Sequence, residues 1–260
     1  MTDDPIRELL GVGPPTDLKW INALFFGDPG AGKTHLIGTA MDHPETRPLL
    51  LLDIDGGAQT VRKRTDIDVI QVRTMQKLEN VVNDLRKSVV DGKMYYKCVA
   101  VDSLTEFQKL DMRTVMKQAK ADARDSSKVD ELVPSQREWG KSNERVRMVI
   151  RAFKDLDCHF LATAFVQETR KENKSEGTSR VIKIAPSLPG KLGSEVPGFF
   201  DIVGLLRVQA RGQGGDAEQI RTLQTQQTEL VKAKDRFSAL PALMDHPSIP
   251  LIWETIYSDS

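Results

Sequence analysis

The sequence lacks the features that mark several classes of protein. It has two cysteines, Cys98 and Cys158, each inside an apolar run, and no CxxC or Cys/His metal spacing. Both are therefore expected to be small buried core residues in a reducing cytoplasm. No run of about 18 apolar residues occurs, so no membrane span is expected. The acidic segment Met1–Pro5 does not resemble a secretory signal.

Charge of either sign is not in excess, because the 260 residues include 37 basic and 37 acidic ones. The chain therefore lacks the net positive charge that is usual in nucleic-acid-binding proteins, but a local basic patch is still compatible with this balance. Hydrophobic residues make up 39% of the chain and charged residues 28%, which suits a folded protein with a buried core. The length favours one large domain with appendages.

Apolar runs alternate with helical periodicities as far as residue 166. The predicted strands cover residues 20–26, 48–53, 69–72, 97–101 and 158–166. The predicted helices cover residues 33–41, 75–89, 104–123 and 139–153. Such alternation predicts an α/β fold with a mostly parallel central sheet flanked by helices. We expect an N-terminal arm at 1–17, a core at 18–240, and a tail at 241–260 that packs on the core.

Beyond residue 166 the pattern changes. Residues 170–195 are polar and show little periodicity, which predicts a loop. Short alternating segments predict antiparallel strands added toward the C-terminus, with a turn at 211–216. These segments cover residues 202–208, 219–225 and 229–233.

One motif carries specific chemistry. The octapeptide GDPGAGKT at Gly27–Thr34 matches the phosphate-binding loop in full, with a strand before it and a helix after it. Its glycines let backbone N–H groups approach phosphate oxygens, its lysine reaches the β- and γ-phosphates, and its threonine ligates Mg²⁺. The predicted ligands of ATP and Mg²⁺ are Gly27, Asp28, Pro29, Gly30, Ala31, Gly32, Lys33, Thr34 and His35.

Acidic residues follow two of the predicted buried strands. Asp102 ends the strand at 97–101, where a second Mg²⁺ ligand is expected beside Thr34. Asp53 and Asp55 end the strand at 48–53, and their spacing of two places both carboxylates on one side of an extended chain. The ends of parallel strands face the ligand crevice, so a base that orients water is expected here. A solvated turn is the alternative.

The ordered set of motifs resembles the RecA-like ATPase core over roughly residues 18–240. It is most similar to small phage-encoded, core-only members described as ATP-binding single-strand annealing or recombination proteins. The resemblance rests on segments at 27–34, 49–57, 99–102, 162–164, 186–191, 200–201 and 232–236.

The resemblance implies roles for further residues. Asp55 would activate water, although relatives carry the longer Glu there. Thr163 or Gln167 would sense the γ-phosphate. Lys234 and Arg236 would reach into the ATP site of a neighbouring subunit, which implies a homo-oligomer with ATP at the interface. A solvated basic turn is the alternative for these last two residues.

DNA contact follows from the same resemblance and from charge. Residues 170–195 contain six basic and three acidic residues. Such a segment beside the ATP site fits an electrostatic groove for single-stranded DNA, and a solvated loop is the alternative. The predicted contacts are Arg170, Lys171, Lys174, Arg180 and Lys183.

The leading hypothesis is a cytoplasmic ATP-dependent DNA-recombination protein, in a bacterial host if phage-encoded. It would bind single-stranded DNA, promote annealing or strand exchange, and work beside a single-strand DNA-binding protein. The alternatives are a helicase-type motor or loader, a P-loop phosphotransferase, and a nucleotide-controlled scaffold without useful turnover.

Overall fold

A mostly parallel sheet forms the centre of the molecule. The structure, a computed structural model, describes residues 20–173, 178–211 and 218–257. Within these residues a ten-stranded sheet is present. Its strands are β1 Asn22–Gly27, β2 Leu49–Asp53, β3 Asp68–Gln71, β4 Cys98–Asp102, β5 His159–Asn173, β6 Thr178–Pro186, β7 Ile202–Arg211, β8 Glu218–Gln224, β9 Lys234–Asp235 and β10 Leu243–Asp245.

The strand order places β1 near the middle of the sheet. The order is β10-β8-β7-β1-β5-β4-β2-β3, with β6 paired to β5 and β9 paired to β7. The six strands from β7 to β3 run parallel, whereas β6, β8, β9 and β10 pair antiparallel. The expected fold class, an α/β domain with a mostly parallel central sheet flanked by helices and antiparallel strands toward the C-terminus, is confirmed.

Helices cover both faces of this sheet. They are α1 Lys33–Gly38, α2 Met75–Val90, α3 Leu104–Asp122, α4 Gln136–Lys154, α5 Leu192–Phe199 and α6 Ile249–Tyr257, with 3-10 turns at Thr39–Asp42, Gly57–Val61 and Ser126–Lys128. Alternate residues of β1 belong to two apolar clusters on opposite faces of the sheet. Leu24 and Phe26 belong to one cluster, and Ala23 and Phe25 belong to the other. All four are fully buried, which explains the unbroken apolar run of this parallel strand.

Two predictions of local structure were wrong. Residues 170–195 do not form one loop, because β5 and β6 pair along the hairpin from Val166–Pro186 to Asn173–Thr178. Residues on both faces of this hairpin are exposed, so its sequence lacks the alternation of apolar and polar residues that indicates a strand. The third C-terminal strand is Lys234–Asp235 instead of 229–233, where Val231 makes an isolated bridge to Ile184. The predicted turn at 211–216 lies largely outside the described residues.

The C-terminal segment contacts the sheet and the 3-10 turn Thr39–Asp42 that follows α1. Strand β10 pairs with β8, and the backbone N–H of Ile249 donates to Thr39 Oγ1 at 2.8 Å. The division at residues 17 and 240 stays a prediction, since residues 1–19 are not described. None of the helices described has the length and apolar character needed to cross a membrane.

Candidate nucleotide-binding site

The phosphate-binding loop leaves the C-terminal end of β1 and closes on itself before α1. The N–H of Ala31 donates to the carbonyl of Asp28 at 3.1 Å, and the N–H of Leu36 donates to Gly32 at 2.8 Å. Gly32 has φ +98°, in the left-handed region where a side chain is strained. The glycine therefore permits the turn that brings Lys33 and Thr34 to the start of the helix.

Lys33 is held at the centre of the loop. Its ammonium donates to the carbonyls of Gly27 and Asp28, both at 2.9 Å, and lies 4.9 Å from the centre of the Phe165 ring. Burial lowers the pKa of Lys33, and the carboxylates of Asp102, Asp55 and Asp28 oppose that shift. A cation is thus placed where a phosphate group would lie over the loop.

Three side-chain oxygens converge beside this lysine. Thr34 Oγ1 donates to Asp102 Oδ2 at 2.6 Å. A carbon placed at the Cβ position of Gly57 would lie 2.8 Å from Asp55 Oδ1, 2.9 Å from Asp102 Oδ2 and 3.1 Å from Thr34 Oγ1. Only a glycine leaves this space open. Hydroxyl and carboxylate oxygens are the ligands that Mg²⁺ prefers, so the residues present fit the ion.

Asp102 is fixed by the neighbouring strand. Its Oδ1 accepts a hydrogen bond from Thr163 Oγ1 on β5, the strand between β1 and β4. Both residues are almost completely buried, at 1% and 0% exposure. Thr163 therefore lies behind Asp102 and has no exposed surface, so the sensing of the γ-phosphate predicted for Thr163 or Gln167 would reach Thr163 through Asp102.

Asp53 and Asp55 do not share one side, because the chain turns directly after β2. Asp53 is buried and accepts a hydrogen bond from the N–H of Gly56 at 2.8 Å. Asp55 alone of the two faces the cavity, where its Oδ1 accepts from the N–H of Gly57 at 2.8 Å. Burial, followed by the charge of Asp102, raises the pKa of Asp55.

A cavity of about 620 Å³ joins the loop to these carboxylates, a volume that accommodates a nucleotide. Its lining includes residues that the sequence did not single out, among them Thr60, Glu106, Phe165 and Arg221. Of these, Glu106 could have been predicted from the sequence, because it follows Asp102 by only four residues, at the start of α3. Arg221 could not, because it is almost 190 positions away from the loop.

Other predicted residues lie elsewhere. Gln167 lines a neighbouring cleft of about 830 Å³ with Thr105 and Pro189. Lys234 donates to the carbonyl of Phe200, and Arg236 to Asp201 Oδ1, both at 2.5 Å, so neither touches the loop within the protomer.

Four of the five predicted DNA contacts lie on β5 and β6, outside the nucleotide cavity. Lys171 and Arg180 are exposed and directly opposite each other. Arg170 pairs with Glu168 at 2.9 Å, and Lys183 lies opposite Thr169. Lys174 is outside the described residues.

Comparison with known proteins agrees with this geometry. Residues 19–237 match the AAA domain family. The chain belongs to this family. It is accordingly an AAA-type P-loop ATPase domain, and nucleotide binding follows from that membership. No curated protein sequence matches the chain.

Several solved structures share low sequence identity with this AAA domain. The RadB recombinase is 12% identical, with 92% of this chain and 91% of that chain covered and a TM-score of 0.43. A type III secretion ATPase of pathogenic bacteria is 13% identical, with 72% and 51% covered and a TM-score of 0.46. EscN of enteropathogenic E. coli is 13% identical, with 73% and 43% covered and a TM-score of 0.44. The chain thus spans about half the length of the type III secretion ATPases.

Proposed function

We propose that the protein binds ATP with Mg²⁺ and hydrolyses it to ADP and phosphate. The observation that carries this proposal is the convergence of Thr34, Asp55 and Asp102 around one point beside the Lys33 ammonium. Lys33 and the loop would hold the β- and γ-phosphates, while Thr34 and Asp102 would hold Mg²⁺. The ion would neutralise charge that develops on the transferred phosphoryl group.

Asp55 would orient the attacking water and accept its hydrogen bond. It is the carboxylate of β2 that faces the cavity, whereas Asp53 is occupied by the Gly56 N–H. Thr163 would act through Asp102 by holding one carboxylate oxygen and leaving the other directed at Thr34. This arrangement divides the acidic residues into one that positions metal and one that positions water.

Two substitutions test these roles. Lys33→Ala should abolish measurable ATP binding in calorimetry, because it removes the cation at the centre of the loop. Asp55→Asn should bind ATP but lose hydrolysis, measured as phosphate release. Asp84→Asn, an exposed carboxylate on α2, is the control and should change neither quantity. Unchanged ATP binding by Lys33→Ala would overturn the site, and surviving hydrolysis in Asp55→Asn would move the water-positioning role elsewhere.

We further propose that the ATPase acts on single-stranded DNA and promotes annealing or strand exchange. The support is the hairpin of β5 and β6, where Lys171 and Arg180 lie directly opposite each other. Like charges in that position destabilise a strand pair, and neither side chain has an ionic partner within the described residues. A phosphate backbone bound along the hairpin would offset this repulsion.

The double variant Lys171→Glu with Arg180→Glu tests the DNA surface. It should weaken binding of single-stranded DNA in filter-binding assays and reduce the slope of log affinity against log salt by about 1.4 for two phosphate contacts. Lys77→Glu with Arg86→Glu makes the same charge change on the exposed side of α2 and should leave both unchanged. Equal weakening by the two double variants would contradict a contact specific to the hairpin.

The coupled reactions separate the alternative functions. Stimulation of ATP hydrolysis by single-stranded DNA supports a DNA-coupled ATPase, and joining of complementary strands supports annealing. Unwinding of a forked duplex would instead establish a helicase, and phosphate transfer to a nucleoside would establish a phosphotransferase. Binding of ATP without measurable turnover would establish a nucleotide-controlled scaffold.

We also propose a homo-oligomer in which Lys234 and Arg236 act on a neighbour's nucleotide. Both lie away from the loop of their own protomer, so a role at ATP requires a second subunit. Mixing Lys33→Ala and Arg236→Ala subunits tests this. At a mixed interface the Arg236→Ala subunit would supply an intact phosphate-binding loop, and the Lys33→Ala subunit would supply an intact Arg236. Recovery of ATPase activity on mixing supports the proposal, whereas full activity of Arg236→Ala alone contradicts it.

A further inference from the structure

The phosphate loop is contacted by a side chain from the antiparallel part of the sheet. Arg221 lies on β8, between β7 and β10, and its carbonyl accepts the N–H of His246 at 2.8 Å. A carbon at the Cβ position of Gly32 would lie 2.5 Å from Nε and 3.0 Å from Cδ of this arginine. The arginine therefore packs directly on the loop, in space that exists because residue 32 is glycine.

Arg221 also lines the nucleotide cavity, from the side opposite the carboxylates. The strand order places β8 and β7 on one side of β1, and β4 and β2 on the other. Asp102 and Asp55 end β4 and follow β2, so the acidic groups and the guanidinium flank the loop from two directions. A triphosphate bound there would lie between the carboxylates on one side and the arginine on the other.

Unlike Arg211 and Arg236, Arg221 has no carboxylate partner within the described residues. Arg211 pairs with Asp245, and Arg236 pairs with the buried Asp201, both at 2.5 Å. A guanidinium presents five N–H donors in a planar fork that matches phosphate oxygens. An arginine without such a partner beside a phosphate loop has the chemistry to bind an anion.

We propose that Arg221 is a phosphate-binding residue that acts in its own protomer, donating hydrogen bonds to the bound nucleotide from the side opposite Asp55 and Asp102. The inference rests on the proposed nucleotide site and extends it. It gives each subunit a second cation at the loop besides Lys33, independently of any residue supplied by a neighbour. Mg·ATP, Mg·ADP and inorganic tripolyphosphate with Mg²⁺ share the chemistry that this residue would recognise.

Calorimetric binding of these three ligands tests the inference. Arg221→Ala and Arg221→Gln should weaken each of them by about tenfold to a hundredfold, the usual effect of losing a charge-assisted hydrogen bond. Arg221→Lys should keep part of the affinity, because a point charge replaces the fork. Arg207→Ala is the matched control. Arg207 lies on β7 and pairs with Thr222 of β8, the residue next to Arg221, so its side chain faces the other side of the sheet from that of Arg221. This variant should bind all three ligands like the wild type.

The outcomes separate this inference from the site on which it rests. Wild-type affinity in both Arg221→Ala and Arg221→Gln, with Lys33→Ala impaired, would refute the role of Arg221 and leave the nucleotide site intact. Loss of ATP affinity with unchanged tripolyphosphate affinity would show a contact to the base or ribose and would also refute it. A wild-type protein that binds none of the three ligands would refute the nucleotide site itself. Equal circular dichroism spectra and melting temperatures without ligand establish that the variants are folded.

Discussion

Gly57→Ala is the sharpest test of the space among the three oxygens. The glycine begins the 3-10 turn Gly57–Val61, and its φ is outside the left-handed region, so alanine fits the backbone. Its methyl group would lie 2.8 Å from Asp55 Oδ1, 2.9 Å from Asp102 Oδ2 and 3.1 Å from Thr34 Oγ1. Favourable contacts between uncharged atoms lie at about 3.5–4.0 Å, so each oxygen must move by several tenths of an ångström or more.

The same methyl group would displace the oxygens of Thr34 and Asp102, which would hold the metal ion. Mg²⁺ holds its oxygen ligands at about 2.0–2.1 Å in a near-octahedral shell that tolerates little distortion. Disturbing the groups that orient metal ligands commonly costs about 10–100-fold in metal affinity. We therefore expect Gly57→Ala to weaken Mg·ATP binding at least about tenfold, while binding of ATP in excess EDTA changes much less, because Lys33 and the loop are untouched.

Isothermal titration calorimetry with and without Mg²⁺ measures both quantities. Gly140→Ala is the control, because this glycine lies on the exposed side of α4 with no atom within 4 Å of its Cβ position. That variant should bind Mg·ATP normally. Mg·ATP binding by Gly57→Ala at the wild-type affinity would refute the assignment of Thr34 and Asp102 to one magnesium site beside Asp55.

Three further predictions concern buried titratable groups. His159 is 2% exposed, and burial lowers its pKa to about 4 from an unperturbed value of about 6.5. Its folded-state pKa lies below the unfolded one, so stability present above pH 6.5 is lost as the pH falls toward 4, by up to roughly 3 kcal/mol. Urea unfolding should show a smaller acid loss in His159→Asn. Asp111 is fully buried, and burial raises its pKa against the opposing charge of Arg145. Its folded-state pKa lies above the unfolded one, so its contribution is complete below about pH 3.9 and falls as the pH rises through the folded pKa. Asp111→Asn should therefore gain stability relative to the wild type between pH 4 and 7, and a constant difference would contradict this. Burial raises the pKa of Cys98, and it raises the pKa of Cys158 to about 12, so both thiols should react with Ellman's reagent only after denaturation.

Buried strands and the phosphate loop were the most predictable parts of the chain. The apolar runs at β1, β2 and β4 correspond to strands covered on both faces, where every residue has the same environment. The β5–β6 hairpin was not predicted, because its solvated faces carry no hydrophobic alternation. The prediction that Asp53 and Asp55 lie on the same side was also wrong. The chain turns directly after β2, so Asp53 is buried whereas Asp55 faces the cavity.

The position of the phosphate loop was determined by local sequence, because eight consecutive residues contain the glycines, the cation and the hydroxyl that the chemistry requires. Tertiary structure decided which distant groups surround that loop. Thr163 reaches Asp102 because β5 pairs with β4, and Arg221 reaches Gly32 because β8 joins the sheet through β7. Such contacts depend on strand order, and strand order is set by the packing of the whole sheet rather than by any local pattern of residues.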